Sequence, residues 1–147
     1  RGHIHAQYVL MHSLSVPADP SITLPDEVDV TEAVLQFAML KLAELEQCGI
    51  SKNRIIFDPG IGFGKTADQS LQLIRNIAAF RALGVPILVG HSRKSFLKKF
   101  VTDEVQNRDA ATLAVSLYLA KQDVDYLRVH DAQQHQQALA IQRYLDV

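Results

Sequence analysis

The chain has 147 residues, a formal net charge of −1 and one cysteine, Cys48. That length holds one domain with a buried core, and the near-zero charge gives no electrostatic reason to expect nucleic acid or an anionic membrane as a partner. No apolar run reaches the roughly 20 residues that span a bilayer. A single cysteine excludes an internal disulfide and is typical of a reducing, cytoplasmic compartment.

Four short apolar runs alternate with segments long enough to form helices. They predict strands over about residues 7–12, 54–58, 85–90 and 125–130. Nearly continuous apolar strands indicate a sheet buried on both faces, and connections of helical length indicate parallel pairing. The fold class is therefore α/β, built from βα units of the kind that make a TIM-type (β/α)8 barrel.

Capping residues delimit the predicted helices. Asp29 and Glu32 resemble a capping box at the start of the first helix, and Gly49 is its expected C′ glycine. Further helices are predicted over about residues 67–83, 94–100, 109–121 and 132–145.

The chain accounts for about half of a closed barrel. Such a barrel takes roughly 250 residues, and the four predicted βα units occupy the whole sequence. The chain starts with Arg1, without Met, so we expect it to be cut from something longer. Residues 1–147 are predicted to be one partial barrel domain.

Each of the four strands leads into a polar group that can do chemistry, His12 after the first, and these groups differ from strand to strand. In βα-barrels these C-terminal strand ends line the reaction site. Asp58 follows three apolar residues, so its carboxylate must find donors or a ligand. Arg128 and His130 are two residues apart and would share a face as an anion-binding pair. The alternative for Arg128 is an ion pair with Asp131 or with a neighbouring helix.

The loop after the second strand carries glycines at 60, 62 and 64, followed by Lys65. Pro59 stands where a P-loop needs its first glycine, and the glycine spacing also departs from the dinucleotide-binding pattern. Two interpretations stay open: a tight strand–helix turn, or a backbone that lets a ligand approach closely.

Several other polar residues have a simple structural interpretation. His3 and His5 resemble the His-x-His pair of metal-dependent hydrolases, but they precede a strand instead of ending one, so we expect no metal site there. Lys98 and Lys99 fit the solvated face of a basic helix. Lys94 lies just past the third strand, which favours a functional role.

Taken together, these motifs resemble dihydropteroate synthase of the folate pathway. The matching runs are VLMH at 9–12, FDPGIGFGK at 57–65, LVGHSRKS at 88–95, RDAAT at 108–112 and RVHD at 128–131. They come in family order, and the resemblance implies the last four βα units of the barrel, its C-terminal half. Ser15 departs from the family, which usually has glycine there.

The resemblance implies a transferase reaction. In it, 4-aminobenzoate condenses with (7,8-dihydropterin-6-yl)methyl diphosphate and pyrophosphate is released. Asp58 would bind the amino-pyrimidine edge of the pterin, with Lys94 on its other side. Met11 and Gly90 would complete the pterin pocket.

The same resemblance implies roles at the two other parts of the reaction site. Phe63, Ser92 and Lys94 would contact the aminobenzoate. Arg128 and His130 would hold the departing pyrophosphate, and with Lys94 they would be the catalytic residues.

The resemblance also implies Mg²⁺ as cofactor and a homodimer for the full-length protein. The protein ligand of Mg²⁺ would lie in the N-terminal half, so no metal ligand is expected in this chain. Two other functions stay open: a truncated, non-catalytic fragment that binds pterin or assists assembly, and a pterin-binding methyltransferase domain.

Overall fold

Strands and helices alternate along the chain. The computed structural model describes residues 6–19, 21–101 and 108–146. The strands are β1 (Tyr8–Met11), β2 (Ile55–Asp58), β3 (Leu88–Val89) and β4 (Tyr126–Leu127). The α-helices are α1 (Val30–Gln47), α2 (Ala67–Arg75), α3 (Asp109–Lys121) and α4 (Ala132–Leu145). Shorter 3₁₀ helices cover Lys52–Arg54, Ile77–Leu83 and Ser95–Lys99.

The strands pair in parallel and follow one another in chain order. β1 pairs with β2, with Met11 opposite Asp58, and β3 pairs with β4. A parallel bridge between Phe57 and Ile87 joins the two pairs, and Phe57 N donates to Pro86 O at 2.8 Å. The prediction of an α/β fold with parallel strands is confirmed, and it places the C-terminal ends of all four strands on one side.

β3 and β4 are shorter than the sequence predicts. Pro86 has no N–H to donate to a neighbouring strand, and β4 is the last strand of the described sheet. Arg128 N still donates to Val89 O at 3.0 Å, one step beyond β4. Arg128 and His130 therefore follow the strand instead of lying within it.

The helix boundaries lie close to the predicted ones. Asp29 Oδ1 accepts from the N–H groups of Thr31 and Glu32, but the Glu32 side chain accepts from Gln36 instead of closing the capping box. Gly49 has a left-handed φ of 81° just past α1. The predicted helix over 67–83 is divided, since α2 ends at Arg75 and a 3₁₀ helix continues to Leu83.

The core lies between the sheet and the helices. One face of α1 is fully buried because its apolar residues recur every four positions, and all four residues of β2 are buried. The completely inaccessible core side chains are Val30, Val34, Ala38, Phe57, Ile61, Leu73, Ile77, Phe80, Val89 and Leu119. Among the described residues, no helix has the length and apolarity needed to cross a membrane.

Candidate active site at the C-terminal strand ends

Asp58 is a buried carboxylate at the end of β2, only 1% exposed. Its Oδ1 accepts from Gly60 N at 2.8 Å, and its Oδ2 accepts from Arg128 Nη2 at 3.2 Å. Burial raises the pKa of Asp58, while the Gly60 N–H and the charges of Arg128 and Lys94 act against that rise. A ligand that donates to this carboxylate would further favour its charged form.

The loop after Asp58 turns tightly against the end of β1. Gly60 has a φ of 68°, and a Cβ at this position would lie 1.9 Å from the carbonyl oxygen of His12. Since that neighbour is backbone, only glycine fits. The loop is therefore a close-packed turn that fixes the position of the carboxylate before it.

Lys65 is a buried lysine, 6% exposed, that joins this loop to β1. Its Nζ donates to Gly60 O at 3.0 Å and to Phe63 O at 2.7 Å, and lies 2.8 Å from His12 Nδ1. Burial lowers the pKa of Lys65 to about 7, and the charge of Lys94 lowers it too. Burial also lowers the pKa of His12 to about 4, so the imidazole is neutral and can accept.

Sequence reasoning missed the role of Lys65 and His12. The sequence places Lys65 at the end of the glycine loop and of the family-like run at 57–65, without a role of its own. The available signal was a lysine directly after three closely spaced glycines, whose exposed carbonyl groups can gather around an ammonium group.

Lys94 extends from the end of β3 to the loop after β2. Its Nζ donates to Ile61 O and lies 4.2 Å from the centroid of the Phe63 ring, a cation–π contact. Burial lowers the pKa of Lys94 to about 8, and the nearby Asp58 carboxylate opposes that lowering. The ammonium group of Lys94 and the Asp58 carboxylate thus interact electrostatically from neighbouring strands.

Residues after β3 and β4 line a hollow of about 200 Å³. Ser92 Oγ lies 2.8 Å from His130 Nδ1, and His130 N donates to the same hydroxyl at 3.3 Å. A Cβ on Gly90 would lie 2.5 Å from Arg128 Nη2, so glycine makes room for the guanidinium. The lining residues are Gly90, Ser92, Lys94, Arg128, Val129 and His130.

The structure brings most of the predicted site residues together. Met11 lies beside Asp58 in the strand register, partly buried, and Phe63 lies under Lys94. Asp58, Met11 and Phe63 do not line the hollow, and Asp58 is joined to it by its bond to Arg128. The predictions about His3 and His5 fall outside the described residues.

A larger groove, of about 1180 Å³, runs between α4 and the end of α3. The site residues described above do not line it, apart from the neighbouring Val129. The carboxylate, the two lysines and the Arg/His pair all gather at the strand ends, so we assign the candidate site to the smaller hollow and the surface around it.

Comparisons with known proteins identify the family of this chain. The family described as pterin binding enzyme matches residues 3–130. The folate synthesis bifunctional protein of Chlamydia muridarum is 40% identical over 134 residues, which are 90% of this chain and 30% of that protein. Dihydropteroate synthase of Escherichia coli K12 is 32% identical over 117 residues, covering 80% of this chain and 42% of the enzyme.

Solved structures of dihydropteroate synthases also superpose on this chain. The dihydropteroate synthase of Xanthomonas albilineans with 4-aminobenzoic acid superposes with a TM-score of 0.86 at 32% identity, over 96% of this chain and 50% of that one. The synthase of Anaplasma phagocytophilum with bound 6-hydroxymethylpterin-monophosphate gives 0.85 at 33%, over 93% and 54%.

The chain thus spans about half the length of these solved enzymes and 30% of the chlamydial relative. The family match extends over most of the sequence and includes every residue placed at the strand ends. The chain belongs to the pterin binding enzyme family.

Proposed function

We propose that this chain is the C-terminal half of a dihydropteroate synthase barrel, comprising its last four βα units. The observation that carries the proposal is the grouping of Asp58, Lys94, Ser92, Arg128 and His130 at one end of a parallel sheet. In a pterin-binding family, this set supplies an acceptor for the pterin and cations for a diphosphate. The reaction is the condensation of 4-aminobenzoate with a dihydropterin-methyl diphosphate.

Asp58 and Lys94 would hold the pterin. The amino-pyrimidine edge of a pterin presents N–H donors side by side, and an ionised carboxylate accepts two such bonds. Asp58 is buried and fixed by the Gly60 N–H, so it is oriented before the ligand arrives. Lys94 would approach the pterin from β3, with Gly90 and Met11 completing the pocket.

Arg128 and His130 would bind the departing pyrophosphate. The amine nitrogen of 4-aminobenzoate forms a bond to the methylene carbon of the pterin. The carbon–oxygen bond to the diphosphate breaks, its electron pair leaves with the pyrophosphate, and the amine loses a proton. Cations placed at the leaving oxygens stabilise the developing charge. Phe63, Ser92 and Lys94 would contact the aminobenzoate.

Mg²⁺ is the cofactor that the family resemblance implies. Within the described ranges, no group of three or more His, Cys, Asp or Glu side chains could hold a metal ion. The same resemblance implies that the protein ligand of Mg²⁺ lies in the N-terminal half of the barrel. The homodimer is likewise proposed for the full-length protein only.

The alternative of a non-catalytic fragment applies to the chain by itself. Half of a barrel mouth supplies half of the contacts, so we expect weak pterin binding and no turnover from the 147 residues alone. The grouping of Ser92 with His130 and Arg128 favours the synthase over a methyltransferase domain, because a methyl transfer releases no pyrophosphate.

The test compares the intact protein, meaning the full-length barrel proposed above, with the isolated 147-residue chain. We expect pteroate and pyrophosphate in equal amounts from the intact protein with 4-aminobenzoate and the dihydropterin diphosphate, and neither product from the isolated chain. Pteroate made by the purified chain with no partner would contradict the half-site proposal. An intact protein without synthase activity would contradict the function itself.

A further inference from the structure

Arg93 adopts an unusual backbone conformation between two residues of the candidate site. Its φ of 57° is left-handed, a region that residues other than glycine, asparagine and aspartate rarely adopt. Ser92 and Lys94 lie on either side of it. Such a conformation persists only where the surrounding structure enforces it.

The start of α3 supplies contacts that enforce it. Arg93 N donates to Thr112 Oγ1 at 3.1 Å, and Arg93 O accepts from Arg108 Nη1 at 2.9 Å. The guanidinium of Arg93 makes a two-pronged ion pair with Asp109, at 2.7 and 2.9 Å. The backbone N–H, the backbone carbonyl and the side chain of one residue are thus all bound by the first turn of one helix.

His91 extends the same attachment along α3. It is completely buried, and its Nε2 lies 2.7 Å from Ser116 Oγ. Asp109, Thr112 and Ser116 are three and four residues apart, so they lie on one face of the helix. This face therefore holds the segment from His91 to Arg93 along its length.

The two flanking side chains contact other parts of the site. Ser92 Oγ meets His130 at the end of β4. Lys94 Nζ meets Ile61 O and the Phe63 ring in the loop after β2. If Arg93 moved to an ordinary right-handed or extended conformation, the directions of Ser92 and Lys94 relative to one another would change.

We propose that Asp109 and Thr112 are positioning residues for the candidate site. They hold Arg93 in its left-handed conformation and so direct Ser92 and Lys94 into that site. This rests on the proposed function. Asp109 is one-third exposed and its ion pair with Arg93 is reached by solvent, so a pair of this kind stabilises the fold only slightly. Its effect is geometric and falls on substrate binding.

The experiment uses the intact protein and three variants. Asp109→Asn removes one prong of the ion pair, and Thr112→Val removes the hydroxyl acceptor while keeping the shape. Asp146→Asn is the matched control, because it breaks another solvent-exposed ion pair of α3, with Lys121, at 3.0 Å. We expect Asp109→Asn and Thr112→Val each to lower kcat/KM for 4-aminobenzoate about tenfold, and Asp146→Asn to leave it unchanged.

A merely structural role would lower the melting temperature of a variant together with its activity. We expect kcat/KM to fall in samples that are fully folded by circular dichroism. Unchanged kcat/KM in Asp109→Asn and Thr112→Val, or a loss that follows the folded fraction, would overturn the positioning role.

A crystal structure of the Asp109→Asn, Thr112→Val double variant separates this proposal from the proposed function. We expect Arg93 to leave the left-handed region and the bond between Ser92 and His130 to break. A left-handed Arg93 with that bond intact would overturn the proposal whatever the turnover. If the wild-type protein has no synthase activity, that result contradicts the proposed function and leaves the proposal about Arg93 standing.

Discussion

The ends of β2 and β4 contribute to the same candidate site in different ways. At the end of β2, Asp58 is 1% exposed and Lys65 is 6% exposed, and both are bound by neighbouring backbone. At the end of β4, the Arg128 side chain is 55% exposed and its described ion pair is with Asp58. The end of β2 lies within the core, whereas the end of β4 extends from the last described strand into solvent.

This difference separates two tasks. Recognition of a rigid ring edge by a carboxylate needs fixed geometry, which close packing around Asp58 provides. Holding a flexible, multiply charged diphosphate needs positive charge within reach, which an exposed Arg128 provides without strict packing. We expect substitutions in the loop after β2 to act through disturbed packing, and substitutions near β4 to act through lost charge.

The largest effect is expected from Gly60→Ala. The new Cβ would meet the backbone oxygen of His12 at 1.9 Å, so we expect a loss of about 4 kcal/mol or more in the free energy of unfolding. Gly84→Ala is the matched control, since Gly84 has nearly the same φ, 67°, with nothing within 4 Å. It should cost about 1 kcal/mol. Urea unfolding of the intact protein measures both, and equal costs would show that the loop can move away.

A smaller effect on the free energy of unfolding is expected from the charge of Lys65. Burial lowers its pKa from 10.5 to about 7. Between these values the folded protein has released this proton while the unfolded chain keeps it, so stability rises with pH through the interval and the gain is lost as pH falls through about 7. Lys65→Met should reduce the slope of the free energy of unfolding against pH, between about pH 8 and 9, by about 1 kcal/mol per pH unit.

Two other lysines serve as comparisons for this slope. Lys94→Met should reduce it less, because burial lowers the pKa of Lys94 only to about 8. Lys41→Met removes an exposed lysine and is the control for replacing a lysine by methionine. Urea unfolding at a series of pH values gives the slopes, and equal slopes in the wild type and Lys65→Met would mean that Lys65 keeps its proton in the fold.

The effect of Arg128→Ala should come from the lost positive charge. Loss of a charge-assisted contact should weaken pyrophosphate binding by about 2 kcal/mol. The free energy of unfolding should fall as well, because the buried Asp58 carboxylate loses its described ion-pair partner. Arg81→Ala is the control, because Arg81 is a similarly exposed arginine paired with Asp123. Calorimetry on the intact protein measures both affinities, and unchanged pyrophosphate binding in Arg128→Ala would remove the proposed role.

The strand ends could be predicted from the sequence better than the contacts between them. Apolar runs and capping residues gave the order of strands and helices, because both depend on neighbouring residues. The sequence predicts Arg128 as part of an anion-binding pair, or as a partner of Asp131 or a neighbouring helix. The ion pair that Arg128 makes with Asp58 joins residues 70 positions apart. The buried bonds of Lys65 and the left-handed Arg93 also depend on packing between distant segments, which no local pattern encodes.

The most direct test of the account is the affinity of Asp58→Asn for a pterin. In the intact protein, with 6-hydroxymethylpterin monophosphate as the probe, asparagine would present a donor where the pterin also donates. We expect the affinity to fall about 100-fold, or about 3 kcal/mol, with the fold retained by circular dichroism. Asp68→Asn, at an exposed ion pair with Lys99, should bind as the wild type does. A wild-type affinity in Asp58→Asn would contradict the assignment of Asp58 as the group that holds the pterin.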